Sequence, residues 1–464
     1  MRRVCYSMAK PEVFVRSVPI AAPQELLFRW HAAAGAFDRL VPPWDRVELA
    51  YEPPMVAGER PVIHLRLGPL RLPWVARYER VDPSFGFVDV QERGPFRSWR
   101  HEHRMHPSED GRSVLEDHVT YTLPLSPIGR FFGSGLARRK IERLFAWRHA
   151  VTRQDLARFA QETQPMRILI TGSTGLLGSA LTSAFKVAGH DIRRAVRGKP
   201  SAPGEILWQP ERGFESPSEL EGLDAVVHLA GDNIAAGRWN AAKKKRLVES
   251  RVGPTRLICE NLAKLKQKPS VLICASAIGI YGSRGSEFLS EASTPGSDFL
   301  ADLCQRWEAA TEPAREAGIR VVNLRFGVIL SSKGGALKKM LLPFKMGVGG
   351  RVGPGTQHMS WVALDDAVDG IRHAIKTPSL SGPVNLVAPT PVTNAEFTRT
   401  LGQVLNRPTI FPLPSFAARL AFGEVADALL LASQRVDSSR LQSSGFQFAY
   451  PTLDSALRHL LGRH

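Results

Sequence analysis

The sequence of 464 residues is poor in cysteine. Its four cysteines, Cys5, Cys259, Cys274 and Cys304, form no CxxC pair and no metal-ligand spacing. This pattern excludes a disulfide-stabilised secreted scaffold and a zinc-finger type of module. We therefore expect free thiols and a reducing, cytoplasmic environment.

Long apolar runs are also missing. No uninterrupted run approaches the roughly 18–20 apolar residues that span a bilayer, so no membrane span is predicted. The first segment, MRRVCYSMAK, is basic but has no apolar stretch behind it, unlike a secretory signal, and Met8 is an alternative start. Hydrophobic residues make up 43% of the chain and charged residues 23%, which is typical of a globular protein of two to four domains.

Acidic residues are outnumbered, and the formal net charge is +17. The excess is +6 before residue 166 and +11 after it, so both halves are basic. The one dense basic run, Lys243 to Arg246, is interpreted as a solvated helix face rather than a nucleic-acid patch. No zinc-finger spacing, RNP-type motif or basic-aromatic repeat is present, so no nucleic-acid partner is predicted. An anionic cofactor would also suit a basic chain.

The chain changes character near residue 165. Before it, segments with a period of two predict half-buried strands at 12–19, 61–67, 73–81, 86–93, 98–105 and 113–123. Helices are predicted at 23–33 and 134–160. This order predicts a curved antiparallel sheet that grips a C-terminal helix, with room for a cavity. Four tryptophans either line such a cavity or belong to the core: Trp30, Trp44, Trp74 and Trp99.

Three histidines lie close together in the segment RHEHRMH. In a strand His101 and His103 share a face, whereas His106 points to the other side. Because only two of the three can converge, no metal site is predicted.

After a short polar linker at 162–165, strand and helix patterns alternate. Strands are predicted at 166–172, 190–197, 224–231, 270–277 and 320–330, and helices up to about 188, at 240–266 and at 298–317. Apolar strands that alternate with amphipathic helices predict a parallel, doubly wound sheet of the Rossmann type.

A glycine-rich segment, Thr171-Gly172-Ser173-Thr174-Gly175-Leu176-Leu177-Gly178, joins a predicted buried strand to a helix, which is the context of a dinucleotide-binding fingerprint. Gly172 permits the tight turn, Gly175 lets the backbone approach a pyrophosphate, and Gly178 permits close packing of the helix on the sheet. The alternative is a glycine-rich turn that binds no ligand.

The residue after the second strand separates NAD from NADP. A carboxylate about 20 residues past the glycines would bind the ribose 2′-hydroxyl of NAD, but Arg197 stands there. A cation suits a 2′-phosphate, so NADP is the predicted cofactor; Arg197 could otherwise be a simple polar strand end. Leu229, Ala230 and Gly231 would let the chain pass the adenosine, and His228 is interpreted as a core histidine.

These residues resemble a known family. TGSTGLLG, DAVVHLAG, CASAIGIYG, LRFGVIL and WVALDD occur in the order seen in extended short-chain dehydrogenase/reductases. The segments HLAGDNIAAGRW, ESRVGPTRLI, GSDFLADLCQRWE and GPGTQHMSW resemble the epimerase-family, or sugar-nucleotide-epimerase-like, branch. The N-terminal segments LFRWHAAAGAFDRLVPPW and GPFRSWRHEHRM are similar to START/SRPBCC helix-grip domains, which hold apolar ligands.

The resemblance implies an α/β Rossmann-type fold with a small C-terminal domain, preceded by an α+β helix-grip domain. The expected boundaries are 1–162 for the helix-grip domain, 166–385 for the Rossmann domain and 386–464 for the C-terminal domain.

The resemblance also implies catalytic roles. Extended members use a serine, a tyrosine and a lysine in a YxxxK arrangement, and Ser276 and Tyr281 match the first two. The YxxxK itself is absent, because the helix at 298–317 reads DFLADLCQ where the motif should stand. Five residues are substitute candidates that the sequence does not separate, although Cys304 is interpreted as a buried helix cysteine: Arg284, Glu291, Asp298, Asp302 and Cys304.

Two hypotheses follow for the function. The first is an NADP(H)-dependent oxidoreductase or epimerase-like enzyme for a small or apolar carbonyl or hydroxyl compound, with an apolar-ligand domain at the N-terminus. The second is an NADP(H)-binding sensor or scaffold without turnover, which the missing YxxxK favours. A lipid carrier with a degenerate nucleotide domain is disfavoured by the intact glycines.

Overall fold

A computed structural model describes residues 10–124, 128–159 and 164–463. The chain divides into two compact units. The first contains the chain up to Pro165 and the short segment Lys186–Gly189, and the second contains the rest. Cys5 and Met8 lie outside the described residues.

The first unit is built on a seven-stranded antiparallel sheet. Its strands are β1 (Glu12–Ile20), β2 (Val47–Tyr51), β3 (Val62–Leu67), β4 (Leu70–Asp82), β5 (Gly86–Arg93), β6 (Ser98–Pro107) and β7 (Ser113–Thr122). The order across the sheet is β1-β7-β6-β5-β4-β3-β2, so β1 pairs with the last strand and the others form a meander. All six predicted strands are confirmed, and β2 is an additional strand that the sequence pattern did not reveal.

Three helices complete the first unit: α1 (Gln24–Ala32), α2 (Ala36–Leu40) and α3 (Ile128–Phe159). Apolar side chains of α3, among them Phe145, pack against β1, β6 and β7 and form a core with Trp99. Trp30 and Trp99 are 1% and 7% exposed, so these two tryptophans belong to the core rather than to an open cavity wall. The predicted helix-grip arrangement is confirmed, and α3 begins six residues before its predicted start.

The strands of the second unit are β8 (Arg167–Thr171), β9 (Asp191–Val196), β10 (Glu205–Gln209), β11 (Gly213–Phe214), β12 (Ala225–His228), β13 (Val271–Ala277), β14 (Phe288–Leu289), β15 (Arg320–Phe326), β16 (Val328–Leu330), β17 (His358–Met359), β18 (Trp361–Ala363), β19 (Gly382–Leu386), β20 (Val392–Thr393) and β21 (Arg435–Val436). Eight of them form one sheet in the order β11-β10-β9-β8-β12-β13-β15-β19. All its pairings are parallel except that of β10 with β11.

The helices of the second unit are α4 (Leu176–Val187), α5 (Ala241–Glu249), α6 (Val252–Ala263), α7 (Phe299–Ala309), α8 (Glu312–Glu316), α9 (Gly335–Lys345), α10 (Leu364–Lys376), α11 (Asn394–Leu405), α12 (Ser415–Phe422), α13 (Ser439–Ser443) and α14 (Leu453–Leu461). A π-helical turn covers Ala426–Leu430. Helix α4 ends in a segment that belongs to the first unit.

The strand order reverses between β8 and β12. The chain runs outward from β8 through β9 to β10 and then returns to place β12 on the other side of β8. In doubly wound sheets, ligands bind outside the carboxyl ends of the strands at such a switch point. The parallel Rossmann-type sheet is confirmed, and its topology directs attention to the loops after β8 and β12.

Three predicted elements are each divided in two. The helix predicted at 240–266 is interrupted before α6, where Pro254 lacks the N–H needed to continue the helix. The helix at 298–317 is interrupted before α8, whose first turn contains Pro313. The strand at 320–330 divides at Gly327, after which β16 leaves the main sheet and pairs with β18.

The described cysteines are free thiols, and Cys259, Cys274 and Cys304 are all buried. This confirms the expected free thiols for these three positions, and the cytoplasmic location stays a prediction.

Across the described segments, no helix has the length and apolar character required to cross a bilayer.

Candidate active site

The glycine-rich loop follows the buried strand β8. Gly172 has φ of +67°, and a Cβ there would lie 2.9 Å from backbone atoms of Leu229 and Ala230. A Cβ on Gly178, in the first turn of α4, would lie 2.2 Å from the carbonyl oxygen of Gly172. The close approach at Gly178 is therefore to the loop itself, whereas the sequence analysis assigned it to packing on the sheet.

A chain of buried hydrogen bonds fixes the neighbouring segment 229–231. The backbone N–H groups of Leu229 and Ala230 donate to Thr171 Oγ1 at 3.2 Å, and Thr171 Oγ1 lies 2.7 Å from His228 Nδ1. On its other side His228 Nε2 lies 2.9 Å from Thr255 Oγ1. Burial, with a smaller effect of the Arg251 charge, lowers the pKa of His228 to about 4, so its ring is neutral near pH 7. The interpretation of His228 as a hydrogen-bonded core histidine is confirmed.

A cleft of about 1420 Å³ opens at the carboxyl ends of β8 and β12. Eight of the predicted cofactor residues line it, namely Gly172, Ser173, Thr174, Gly175, Arg197, Leu229, Ala230 and Gly231. The other four do not: Thr171 is buried at the end of β8, and Leu176, Leu177 and Gly178 form the first turn of α4. That turn contributes backbone N–H groups, because the first N–H groups of a helix have no intrahelical acceptor.

Some charged side chains in the cleft have a partner of opposite charge and others have none within the described ranges. Arg256 pairs with Glu260 at 2.9 Å, and Asp232 accepts a hydrogen bond from a lysine. Within the described part of the chain, no ion pair or hydrogen bond engages Arg197, which is exposed. Ser173 Oγ is buried in the loop without a hydrogen-bond partner among the described residues. An unpaired cation and an unsatisfied hydroxyl beside a glycine cradle fit a phosphate-bearing dinucleotide.

The basic run at 243–246 is not a uniformly solvated face. Lys243 is 5% exposed and donates to Asp232 at 2.6 Å and to the carbonyl oxygen of Asn233 at 2.8 Å. Arg246, at the other end of the run, lines the cleft. The interpretation as a solvated face is therefore wrong for Lys243, which instead anchors the segment after β12.

Ser276 and Tyr281 lie in one buried hydrogen-bonded network. Ser276 Oγ donates to Glu308 Oε1 at 2.6 Å, and Arg325 donates to both carboxylate oxygens of Glu308 at 2.9 Å. Arg325 also donates to the Tyr281 hydroxyl at 3.0 Å, and that hydroxyl donates to Asn385 Oδ1 at 2.7 Å. Neither Ser276 nor Tyr281 lines the cleft described above.

The electrostatics of this network work against a proton-donating tyrosine. Tyr281 is fully buried, and burial raises the pKa of its hydroxyl although Arg325 and the hydrogen bonds act in the opposite direction. Burial lowers the pKa of Arg325, but its bonds to Glu308 outweigh burial and raise it. Arg325 thus stays charged and holds both neighbours. The catalytic roles of Ser276 and Tyr281 remain predictions.

The substitute candidates fall into different places. Arg284 pairs with Glu287 at 2.8 Å, Asp298 caps α7 by accepting from the N–H of Ala301, and Asp302 lies 3.5 Å from Arg306. Of the two remaining candidates, Cys304 is buried and Glu291 is half-buried. Burial raises the pKa of Cys304 to about 12, which confirms its interpretation as a buried helix cysteine. Glu291 alone reaches the network, where its Oε1 accepts from the N–H of Asn385 at 2.8 Å.

Sequence reasoning missed Glu308, Arg325 and Asn385. Glu308 and Arg325 lie inside GSDFLADLCQRWE and LRFGVIL, two of the segments that resemble the family, so membership of these motifs could have pointed to them. They were not identified because an ion pair between residues 17 positions apart leaves no local pattern. Asn385, on β19, reaches Tyr281 only because β19 lies beside β15 in the sheet.

Comparisons with known proteins agree with this architecture. Residues 168–386 match the family model described as NAD dependent epimerase/dehydratase family, residues 20–145 match Polyketide cyclase / dehydrase and lipid transport, and residues 413–460 match a domain of unknown function. The Epimerase family protein Mb2239 of Mycobacterium bovis is 47% identical over 296 residues, which cover 64% of this chain and 98% of that protein.

Two solved structures extend the likeness. The nucleoside-diphosphate sugar epimerase from Corynebacterium glutamicum is 35% identical with a TM-score of 0.79, and the match covers 97% of this chain and 90% of that one. The human epimerase family protein SDR39U1 (isoform 2), solved with NADPH, is 35% identical with a TM-score of 0.59 and covers 64% of this chain and 99% of its own. The chain therefore belongs to the NAD dependent epimerase/dehydratase family and carries an SRPBCC-like domain of the polyketide cyclase and lipid transport type at its N-terminus.

Proposed function

We propose that the chain binds NADP(H) in the cleft between β8 and β12 and acts as an oxidoreductase or epimerase-like enzyme on a small or apolar carbonyl or hydroxyl compound. The observation that carries the proposal is the meeting of the glycine cradle, the unsatisfied Ser173 Oγ and the unpaired Arg197 in one cleft. The relative solved with NADPH, at 35% identity, supports it.

Each part of the cleft has a distinct task in this proposal. The loop from Gly172 to Gly175 and the N-terminus of α4 would hold the pyrophosphate, since helix N-termini favour anions. Arg197 would hold the 2′-phosphate, and the segment 229–231 would pass the adenosine. When bound, NADPH would supply a hydride to a carbonyl carbon whose oxygen takes up a proton, and NADP⁺ would accept a hydride from a hydroxyl-bearing carbon whose oxygen loses one.

Proton transfer needs a different arrangement from YxxxK. In the proposed enzyme Glu308 orients Ser276, and Arg325 keeps Glu308 in place through two hydrogen bonds. Because the proton of Ser276 is donated to Glu308, Ser276 Oγ would accept a hydrogen bond from a substrate hydroxyl, while Tyr281, which donates to Asn385, positions Arg325. In the proposed arrangement the N-terminal domain would bind the apolar molecule itself or a second apolar ligand.

A second candidate is an NADP(H)-binding sensor or scaffold without turnover. The observation in its favour is that the hydroxyls of Ser276 and Tyr281 are both buried and already engaged by protein partners. Both candidates require the same cofactor, and they differ in whether bound NADPH is consumed.

The cofactor is tested by calorimetric titration of NADPH and NADH into the full-length chain. We expect NADPH to bind more tightly, and Arg197→Ala to weaken NADPH about 10- to 100-fold while leaving NADH unchanged, because one charge-assisted contact is worth roughly 1.5–3 kcal/mol. Arg193→Ala is the matched control, since Arg193 lies on β9, the strand that directly precedes Arg197, but pairs with Asp191 and does not line the cleft. Equal binding of both nucleotides, or no effect of Arg197→Ala, contradicts the proposal.

Turnover is tested by the loss of NADPH absorbance with a panel of carbonyl compounds. An enzyme should lose rate in Ser276→Ala and in Glu308→Gln while NADPH affinity is retained. If NADPH binds tightly but is never oxidised by any compound, the sensor is the correct function.

A further inference from the structure

A second polar cluster lies inside the first unit, apart from the cofactor cleft. It consists of Asp89 on β5, His101 and His103 on β6, and Asp117 on β7, with His149 contributed by α3. The three strands are neighbours, and the register places Asp89 opposite His101 and His103 opposite Asp117. His101, His103 and Asp117 are 2%, 6% and 2% exposed, whereas the side chain of Asp89 is 17% exposed, so the cluster is largely buried and Asp89 is its most accessible ligand.

The structure assigns a divalent transition-metal site, of the kind that takes Zn²⁺, to Asp89, His101 and His103. Their ligand atoms all lie within 4.8 Å of one another. No metal was predicted here from the sequence because His106 lies on the other face of the strand, and His106 is exposed. Asp89, which comes from the neighbouring strand, supplies the third ligand instead.

Two of the three distances between ligand atoms, both from Asp89, fit a tetrahedral ion, and the third, between the two histidine nitrogens, is within 4.8 Å. Asp89 Oδ2 lies 3.4 Å from His101 Nδ1 and 3.5 Å from His103 Nε2. These separations exceed the roughly 2.7–2.9 Å of a charge-assisted hydrogen bond. They match the edge of a tetrahedron with metal–ligand bonds of about 2.0–2.2 Å, which is about 3.3–3.6 Å. The edge of an octahedron with the same bonds is shorter, about 2.8–3.1 Å.

The opposite sides of both imidazoles are oriented by one carboxylate. Asp117 Oδ1 lies 2.9 Å from His101 Nε2 and 2.9 Å from His103 Nδ1, the second contact being off the line of a good hydrogen bond. Its other oxygen lies 2.5 Å from His149 Nε2. A carboxylate behind a metal-ligating histidine is the usual support that fixes the ring and its tautomer. Here a single aspartate supports both ligands.

Charge and packing are compatible with a cation. Two carboxylates, Asp89 and Asp117, outnumber the one guanidinium, Arg148, that interacts with both of them. Phe87 stacks on His103 with ring centroids 3.8 Å apart and holds that ring in place. Three protein ligands leave a fourth position for water or for an oxygen atom of a small ligand, as in catalytic zinc sites.

The test is a titration of Zn²⁺ into the full-length, tag-free chain after chelation and dialysis, with Co²⁺ as a spectroscopic substitute. We expect one equivalent to bind with micromolar or tighter affinity, and Co²⁺ to show the intense visible absorption of a four-coordinate site. Asp89→Asn and His103→Gln should each weaken binding at least 100-fold, and Asp117→Asn about 10- to 100-fold.

His106→Gln is the matched control, because His106 lies on the same strand and is exposed on the other side. It should bind as the unmodified chain does, and circular dichroism establishes that each variant is folded. If one ligand variant fails to fold, the other variant and the Co²⁺ spectrum decide. Absence of stoichiometric binding, an octahedral Co²⁺ spectrum, or unchanged affinity in folded Asp89→Asn or His103→Gln overturns the assignment.

Discussion

His228 shows how one buried side chain orders the cofactor cleft. Its two ring nitrogens lie between the hydroxyls of Thr171 and Thr255, and Thr171 in turn accepts from the N–H groups at the start of the segment after β12. Trp307 Nε1 donates to the same Thr255 hydroxyl at 3.0 Å. A histidine that touches no cofactor therefore sets the backbone that would touch it.

We expect His228→Leu to lower the free energy of unfolding by about 2–4 kcal/mol, because two buried threonine hydroxyls lose a partner. Chemical denaturation with circular dichroism measures this value. A variant within about 0.5 kcal/mol of the unmodified chain would show that the hydrogen-bond chain contributes little.

The same residue predicts a dependence of stability on pH. The folded-state pKa of His228 is about 4, below the ordinary histidine value of 6.5, so the unfolded state binds more protons between these values. The contribution is complete above about pH 6.5 and is lost as the pH falls towards 4, by up to about 3 kcal/mol. Denaturation at several pH values should give a shallower acid limb in His228→Leu, and identical slopes contradict the assignment.

At the scale of elements, the start of α4 depends on close backbone packing. The helix can begin directly after the loop only because Gly178 has no side chain to meet the carbonyl oxygen of Gly172. Gly175 is less constrained, since a Cβ there would lie 3.2 Å from the same oxygen. Gly178 is therefore required for the loop and helix to fold, whereas Gly175 is needed mainly to let a ligand approach the backbone.

We expect Gly178→Ala to lower the unfolding free energy by about 1–3 kcal/mol without any ligand, because backbone must shift to admit the methyl group. Gly175→Ala should lower the unfolding free energy by less than about 1 kcal/mol without ligand. It should nevertheless weaken NADPH binding, since Gly175 lines the cleft. Thermal melts and calorimetric titrations measure the two effects. Equal stability of the two variants would contradict this division.

At the scale of the whole molecule, the two units have separate cores. In the first, α1, α3 and the antiparallel sheet bury Leu27, Trp30 and Phe145. In the second, both faces of the parallel sheet are covered, with Ile168 and Leu169 in different clusters. Two complete cores imply two cooperative folding units, each with its own candidate site.

Differential scanning calorimetry should therefore show two transitions. NADPH at about 100 times its dissociation constant adds roughly 2.7 kcal/mol to the unfolding free energy of the unit that binds it. It should raise the transition temperature of that unit by about 5 °C and leave the other transition unchanged. His228→Leu should lower the same transition that NADPH raises. A single transition that NADPH moves as a whole would be inconsistent with independent units.

The sequence by itself determined the class of both folds and the position of the glycine-rich loop between β8 and α4. Period-two strands around a long helix and strand–helix alternation are local patterns, because they follow from which face of each element is buried. The division of the helices at 240–266 and 298–317 was not predicted, although Pro254 and Pro313, which act within their own turn, carried a local signal for it. Gly172 and Arg197 were predicted as cofactor residues in the same way, from their positions along one strand–helix–strand unit that runs from β8 through α4 to β9.

Only the tertiary structure decided which side chains contact each other in the candidate sites. The pairing of Ser276 with Glu308, and of Tyr281 with Arg325 and Asn385, joins residues brought together by neighbouring parallel strands and a helix. The grouping of Asp89 with His101 depends on the register of two antiparallel strands, which the sequence pattern leaves undetermined. Side-chain chemistry can be identified along a chain, but its partners are fixed by strand order and register, which are properties of the folded molecule.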